Sequence, residues 1–222
     1  MWNMYYDDVN GNGEFDDGDV RISSMYDYMS NNSSANVAMT TTTVYTNATQ
    51  KFIDKTAIPD VRGAFNLSTG FKNFELSAQF LYSFGGYSYD SAYAGLMRNT
   101  ELGGNNWHQD IEQRWQQPGD VTNVPRLSNN ITGDTNFTSA STRFLTKSDY
   151  VALNNVRIGY NFPTDMISGM GLAELGMYVQ GDNLWLFSER DGFNPSASFT
   201  GGSDTYRYSP LSNITFGLRV KL

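Results

Sequence analysis

The sequence predicts an all-β fold, an antiparallel up-and-down sheet forming a partial (open) transmembrane β-barrel segment. Its long loops would be extracellular and its short turns periplasmic. Three observations carry this reading. The last ten residues, Asn213–Leu222, alternate without a break: Ile214, Phe216, Leu218, Val220 and Leu222 fall on one face, and Asn213, Thr215, Gly217, Arg219 and Lys221 on the other. Other segments alternate over lengths of about 9–11 residues or more, enough to cross a bilayer at a tilt and longer than the usual globular strand. The connections between them alternate short and long, as barrel turns and loops do.

Taken in order, Gly63–Lys72 sets Phe65, Leu67, Thr69 and Phe71 on one face. Phe74–Phe84 sets Phe74, Leu76, Ala78, Phe80, Tyr82 and Phe84 against Glu75, Ser77, Gln79 and Ser83, with Leu81 as the one apolar exception. Only Lys72 and Asn73 separate these two, which predicts a tight hairpin. Tyr150–Phe162 ends on Val156, Ile158, Tyr160 and Phe162, but its early residues Val151 and Leu153 are out of phase, which predicts a bulge near Asn154–Asn155. Ala173–Phe187 opposes Leu175, Met177 and Val179 to Glu174, Tyr178, Gln180 and Asp182. The organisation expected is an outer loop over 1–62, a hairpin over 63–84, an outer loop over 85–149, a hairpin over 150–187, an outer loop over 188–209 and a closing strand over 210–222. Aromatics fall at both ends of the strands as girdles should: Phe80, Tyr82, Phe84, Trp185 and Phe187 outside, Phe71, Phe74, Tyr160 and Phe162 inside. Within this frame Glu75, Gln79, Arg157, Arg219 and Lys221 would face the lumen.

Composition agrees. The 222 residues include 14 Tyr, 14 Phe and 4 Trp, a β-rich profile. The chain has no cysteine, which excludes disulfides and thiolate metal sites. No apolar run approaches a membrane-spanning helix, and Met1–Tyr6 has no basic and apolar leader pattern. The net charge is −8. The first twenty residues hold Asp7, Asp8, Glu14, Asp16, Asp17 and Asp19 without a Lys or Arg, whereas acids and bases nearly balance elsewhere. A local acidic knot points to a cation, and the absence of a basic stripe excludes a nucleic-acid partner.

That knot, Asp8–Asp19 (D-V-N-G-N-G-E-F-D-D-G-D), fits the calcium-loop pattern of oxygen donors around a sharp turn. Asp8, Asn10 and Asn12 would supply side-chain oxygens, Glu14 its backbone carbonyl and Asp16 a direct or water-bridged contact, and Asp19 would close the site. Gly13 permits the turn. No amphipathic helix flanks the motif, so a structural calcium is expected rather than a paired sensor.

Catalytic patterns are absent: no nucleophile elbow, phosphate loop or zinc-protease motif occurs. His108, the one histidine, sits in Asn105–Trp115, which reads as a short amphipathic helix with Trp107, Ile111 and Trp115 on one face. Asp110 and Glu112 do not face one another on such a helix. The chain is therefore read as a non-enzyme. Loop aromatics Tyr87, Tyr89, Tyr93, Trp107, Trp115, Tyr206 and Tyr208 are candidates for stacking on a ligand, sugars included, although such residues more often pack their own loop.

Several segments together resemble the last portion of SusC/RagA-type TonB-linked outer-membrane transporters. They are the acidic loop followed by Ile58–Phe80, Arg114–Leu127, Ser148–Pro163 (S-D-Y-V-A-L-N-N-V-R-I-G-Y-N-F-P, the most specific), Gln180–Trp185 and Asp191–Ser196. The resemblance implies an importer of glycans or peptides in the cell outer membrane of Gram-negative bacteria, typically Bacteroidota. It also implies a SusD-like surface lipoprotein as partner and coupling to the TonB complex through an N-terminal region, and it expects a bilayer around the strands. Plug and N-terminal strands are not recognised here, so the segment alone is expected to transport nothing. The alternative is a secreted, calcium-stabilised β-sandwich that binds carbohydrate. The two readings differ on whether Phe65, Phe80, Ile158, Val179 and Val220 face lipid or a shared core.

Overall fold

The computed structural model describes residues 1–98, 106–127, 139–198 and 209–222. The chain divides into two compact units, Met1–Lys55 and Thr56–Leu222.

The first unit carries β1 (Trp2–Asp7), β2 (Val20–Ile22), the helix α1 (Met25–Asn31) and β3 (Val37–Thr42), with sheet order β2-β1-β3. The span read from sequence as a single outer loop therefore contains a sheet of its own. Its strands are only three to six residues long, below the length at which alternation stands out. Met4, Tyr6 and Ile22 are buried in it. The Thr49 hydroxyl donates to the Ile22 carbonyl at 2.6 Å and accepts from the Tyr5 N–H at 2.7 Å, fastening the returning chain to the sheet. Ser24 caps α1 by accepting from the Asp27 N–H.

The second unit is built on β4 (Val61–Phe71), β5 (Phe74–Phe84), β8 (Tyr150–Asn161), β9 (Glu174–Ser188) and β10 (Asn213–Lys221), all antiparallel in the order β10-β9-β8-β5-β4. The bounds of β4, β5, β8 and β9 lie within two residues of the expected ones, and β10 begins three residues after the start of the closing segment expected over 210–222. The β4–β5 hairpin turns on Lys72, which takes the left-handed region at φ 53°. Between β8 and β9 lies the short helix α3 (Thr164–Ile167).

The expected bulge is present. Gln79 and Phe80 of β5 oppose Asn155 and Leu153 of β8, leaving Asn154 as the extra residue. That single insertion returns Leu153 and Val151 to the apolar face, opposite Phe80 and Tyr82. The sequence did not signal a second irregularity in β9, where Asn155 opposes Asp182 but Leu153 opposes Trp185. Asn183 there takes φ 52°, and Leu184 leans over Gly181, where a Cβ would be 2.8 Å from its methyl carbon. Leu81, the exception on the polar face, stands in register with Ala64 and Ala152, and Ala152 with Leu186, so it joins a small apolar row.

Apolar residues on one face of the sheet are open to the surroundings. Phe65 is 57% exposed, Ile158 53%, Phe216 76% and Leu218 72%. A sandwich would have covered them with a second sheet, so that alternative fails on this geometry.

The segment between β5 and β8 has a core of its own. Beyond the sheet, β6 (Tyr87–Tyr89) pairs with β7 (Leu145–Lys147), and α2 (Ser91–Leu96) follows β6. Ala94, Met97, Ile111, Val124 and Phe144 are buried together. The helix expected over Asn105–Trp115 is, among the described residues, a 3-10 turn over Gln109–Gln113. His108 is extended at ψ 147° and Arg114 at ψ 151°, so no helix continues on either side.

Candidate functional site

The polar face of the five-stranded sheet holds all five residues expected to line a lumen. Glu75 stands opposite Gly159, Gln79 opposite Asn155, Arg157 opposite Ser77 and Gln180, Arg219 opposite Gly176, and Lys221 opposite Glu174. Glu75, Gln79 and Arg219 among them, with asparagines that sequence reading did not single out, enter cross-strand hydrogen-bonded groups. In the first, Gln79 donates to the Asn66 carboxamide at 3.0 Å, and Asn154, the bulge residue, donates to Gln79 at 2.8 Å. In the second, Asn155 donates to Asp182 at 2.5 Å, and Gln180 donates to the same carboxylate at 3.1 Å. In the third, Asn161 donates to Glu75 at 2.8 Å, Arg219 donates to Asn161 at 3.1 Å, and Arg219 pairs with Glu174 at 2.6 Å. The Arg157 guanidinium lies over the Tyr178 ring, 3.9 Å from its centroid. Tyr178 is in register with Gly159 on one side and Gly217 on the other, and a side chain at Gly217 would overlap its ring. Glycine is required there for that close approach. Alternation alone carried the signal for this face, and the amide network has no sequence signature beyond it.

The opposite face is aromatic at both ends. Phe74 and Tyr160 rings are 4.7 Å apart and Tyr160 and Phe162 5.0 Å apart at one end. Tyr82 and Phe84 stack at 6.0 Å, and Trp185 and Phe187 at 6.1 Å, at the other. Ten residue steps separate Phe74 from Phe84, about 33 Å along an extended strand. At the roughly 40° tilt of barrel strands this spans about 25 Å, the height of an apolar barrel belt.

The acidic loop joins β1 to β2, so it is a strand-flanked turn with no helix on either side. Asp8 is buried, and its carboxylate accepts from the N–H groups of Gly11 (2.8 Å), Asn12 (3.1 Å) and Gly13 (2.9 Å). Gly13 has φ 78°, which only glycine adopts without strain. Asn10 and Asn12 both donate to Asp16, at 3.0 and 2.8 Å, while their carbonyl oxygens accept from Asn12 and Glu14 N–H groups. Asp19 accepts from Val9 and Asp16, and Glu14 enters through its backbone. The Gly18 N–H, then Asn12 and Asn10, hold the Asp16 carboxyl below its ordinary range. Among the described residues no three His, Cys, Asp or Glu side chains are grouped closely enough to hold a metal ion. The donor set is made of hard oxygens, the chemistry calcium takes.

The loop aromatics are divided. Tyr89, Tyr93 and Trp107 pack against the loop core, and the Trp107 indole donates to the Arg98 carbonyl at 3.0 Å. Tyr87 lies in β6, and Trp115 is half-buried, with its backbone N–H on Val124. Tyr206 and Tyr208 lie outside the described residues. The Tyr93 hydroxyl donates to Asp110 at 2.7 Å, and its ring carries the Arg190 guanidinium 4.3 Å from the centroid. Burial, then the Asp110 contact, pushes the Tyr93 hydroxyl up to about 12. Arg190 also pairs with buried Asp90, which caps α2. His108 caps the 3-10 turn by accepting the Asp110 N–H, a packing role.

No family model matches the chain. Two TonB-dependent receptors of Formosa agariphila align with it. One is 25% identical over 184 residues, covering 78% of this chain and 17% of its own length. The other is 28% identical over 177 residues, covering 73% and 16%. The chain thus spans about a sixth of the length of the curated relatives it matches. The structure of the RagAB peptide transporter superimposes with a TM-score of 0.63 at 22% identity, covering 76% of this chain and 18% of that one. The RagAB peptide importer in its closed-closed state gives 0.64 at 22%, covering 84% and 20%. An unclosed antiparallel sheet with one apolar and one polar face, these alignments and these superpositions converge: the chain is similar to a stretch of TonB-dependent receptors and carries the fold of part of such a receptor's barrel.

Proposed function

We propose that this chain is a barrel segment of an outer-membrane importer of glycans or peptides in a Bacteroidota bacterium. In this reading it works with a SusD-like surface lipoprotein and is energised through the TonB complex. The observation that carries the reading is the two-faced sheet: aromatic-bounded and apolar on one side, hydrogen-bonded and charged on the other. Lipid takes the first face, and a water-filled lumen takes the second, lined by Glu75, Gln79, Arg157, Arg219 and Lys221. The long segments beyond the Tyr82–Phe84 end form the outer vestibule and the partner's surface.

Alone, the five strands enclose no lumen, because β4 and β10 each keep an open edge. The isolated 222-residue chain in vesicles should therefore give no conductance, and a steady solute-selective current would overturn this. In cells, a longer receptor carrying this segment should take up oligosaccharide or oligopeptide only while TonB is energised. Uptake that persists without TonB would refute the import reading.

Calcium at Asp8, Asn10, Asn12, Glu14, Asp16 and Asp19 would pin the β1–β2 turn. This role is structural. Calorimetric titration of the full chain should show one calcium site, and no heat at millimolar calcium would remove it.

A further inference from the structure

We propose that Arg157 is a contact point for the carboxylate of a solute moving along the polar face, an inference that rests on the import reading above. The argument is one of which charges are already answered. Glu75 accepts from Asn161, Asp182 from Asn155 and Gln180, and Glu174 is paired with Arg219. Two of these three carboxylates are satisfied by neutral amides although an arginine stands on the same face. Among the described residues, Arg157 has neither a hydrogen bond nor an ion pair.

Its pose is nonetheless fixed. The guanidinium stacks on Tyr178 at 3.9 Å, and Tyr178 is laid flat by Gly217 beside it. Stacking on the ring face leaves the N–H fork of the guanidinium in its own plane, free to take two oxygens at once. Register places only Ser77, a short side chain, and Gln180 beside Arg157, and the residue is half-buried rather than covered. A planar, oriented, unneutralised guanidinium matches a carboxylate bidentately, whereas a neutral sugar hydroxyl gains only single hydrogen bonds. The solute class indicated is one with a free carboxylate: a peptide C-terminus, an acidic side chain or a sugar acid.

The test uses the 222-residue chain in non-ionic detergent micelles, labelled with nitrogen-15. The probes are N-acetyl-dialanine and its C-terminal amide. The Arg157 Nε–H signal and the Gly159 and Gly217 amides should shift saturably with the acid and not with the amide. Arg157→Gln should abolish the response of both glycines, and Arg157→Lys should weaken it at least fivefold. Tyr178→Leu should weaken it on the order of threefold. Lys72→Gln, an equal charge change at the β4–β5 turn and off the polar face, should leave it intact. An equal response to acid and amide, or a response that survives Arg157→Gln, would overturn the proposal. The retained amide pattern of β4 and β5 confirms that each variant is folded. Because binding is read without transport, losing it leaves the import reading standing, and failed uptake in cells leaves the binding result standing.

Discussion

Two regions of the same unit handle their large apolar side chains in opposite ways. In the five-stranded sheet they point outward, with Ile158 more than half exposed and Phe216 three-quarters exposed. In the segment between β5 and β8 they point inward: Met97 is 1% exposed, and Phe144 and Val124 are 3%. The sheet is finished only by an apolar solvent, and the loop segment is finished by water. One chain is thus built for two solvents, with the boundary near Tyr82 and Phe84.

The largest expected effect breaks the inward half. Phe144→Ala should cost about 3–5 kcal/mol of local stability. Hydrogen exchange should then accelerate at the amides of α2 and the 109–113 turn, while β5 and β8 keep their protection. Loss of protection in both would mean the two regions are one cooperative unit. Next, Val156→Arg, opposite Ala78 midway between the two aromatic ends, should cost about 2–4 kcal/mol in vesicles, the penalty for arginine toward the bilayer midplane. Thr215→Arg, on the polar face, should stay within about 0.5 kcal/mol. Equal costs in denaturant titrations would show that the two faces meet the same medium.

Smaller still is Tyr93→Phe, which leaves Asp110 without its donor and should cost about 1 kcal/mol. The sign of its pH dependence follows from the raised hydroxyl. The stabilisation is complete below the ordinary tyrosine value near 10 and is lost as pH rises through about 12. Ultraviolet titration of tyrosinate, wild type against variant, reads this directly. The smallest effect concerns Asp16, whose carboxyl is held low by Gly18, Asn12 and Asn10. Its contribution is present above the ordinary carboxylate range and is lost as pH falls below it. Amide signals of Asn12 and Gly18 should collapse together only in strong acid, and Asp16→Asn should produce that collapse near neutrality.

Much of this division was legible in the residues. Long strands announce themselves because ten or more alternating positions rarely arise otherwise. The β8 bulge was legible because one extra residue shifts Val151 and Leu153 out of step. The β9 irregularity was not, because Trp185 and Phe187 remain in step with Met177 and Val179 across it. Asn183 at positive φ is its one local trace. The first unit was missed because its strands are short, although Met4 and Tyr6 do alternate. The amide network was invisible because Asn66, Asn154 and Asn161 read as unremarkable polar positions until register brings them together. Tyr93 was seen as a possible stacking residue, but its ring is held by Arg190 and its hydroxyl by Asp110, partners far away in sequence.

The β6–β7 ribbon has a consequence for how this chain can diversify. Ring closure is entropically cheap in length: each doubling of a flexible loop costs about 0.6 kcal/mol. The ribbon closes the insertion at its base, at Tyr87 and Lys147, before the span between β5 and β8 opens out. Ordering entropy is thereby met inside the insertion, by its own core, and not by the register of β5 against β8. Residues beyond Tyr89 can lengthen, shorten or be exchanged while Ser83 still meets Tyr150. The segment between β5 and β8 can change in length while the register of the wall beneath it stays as it is.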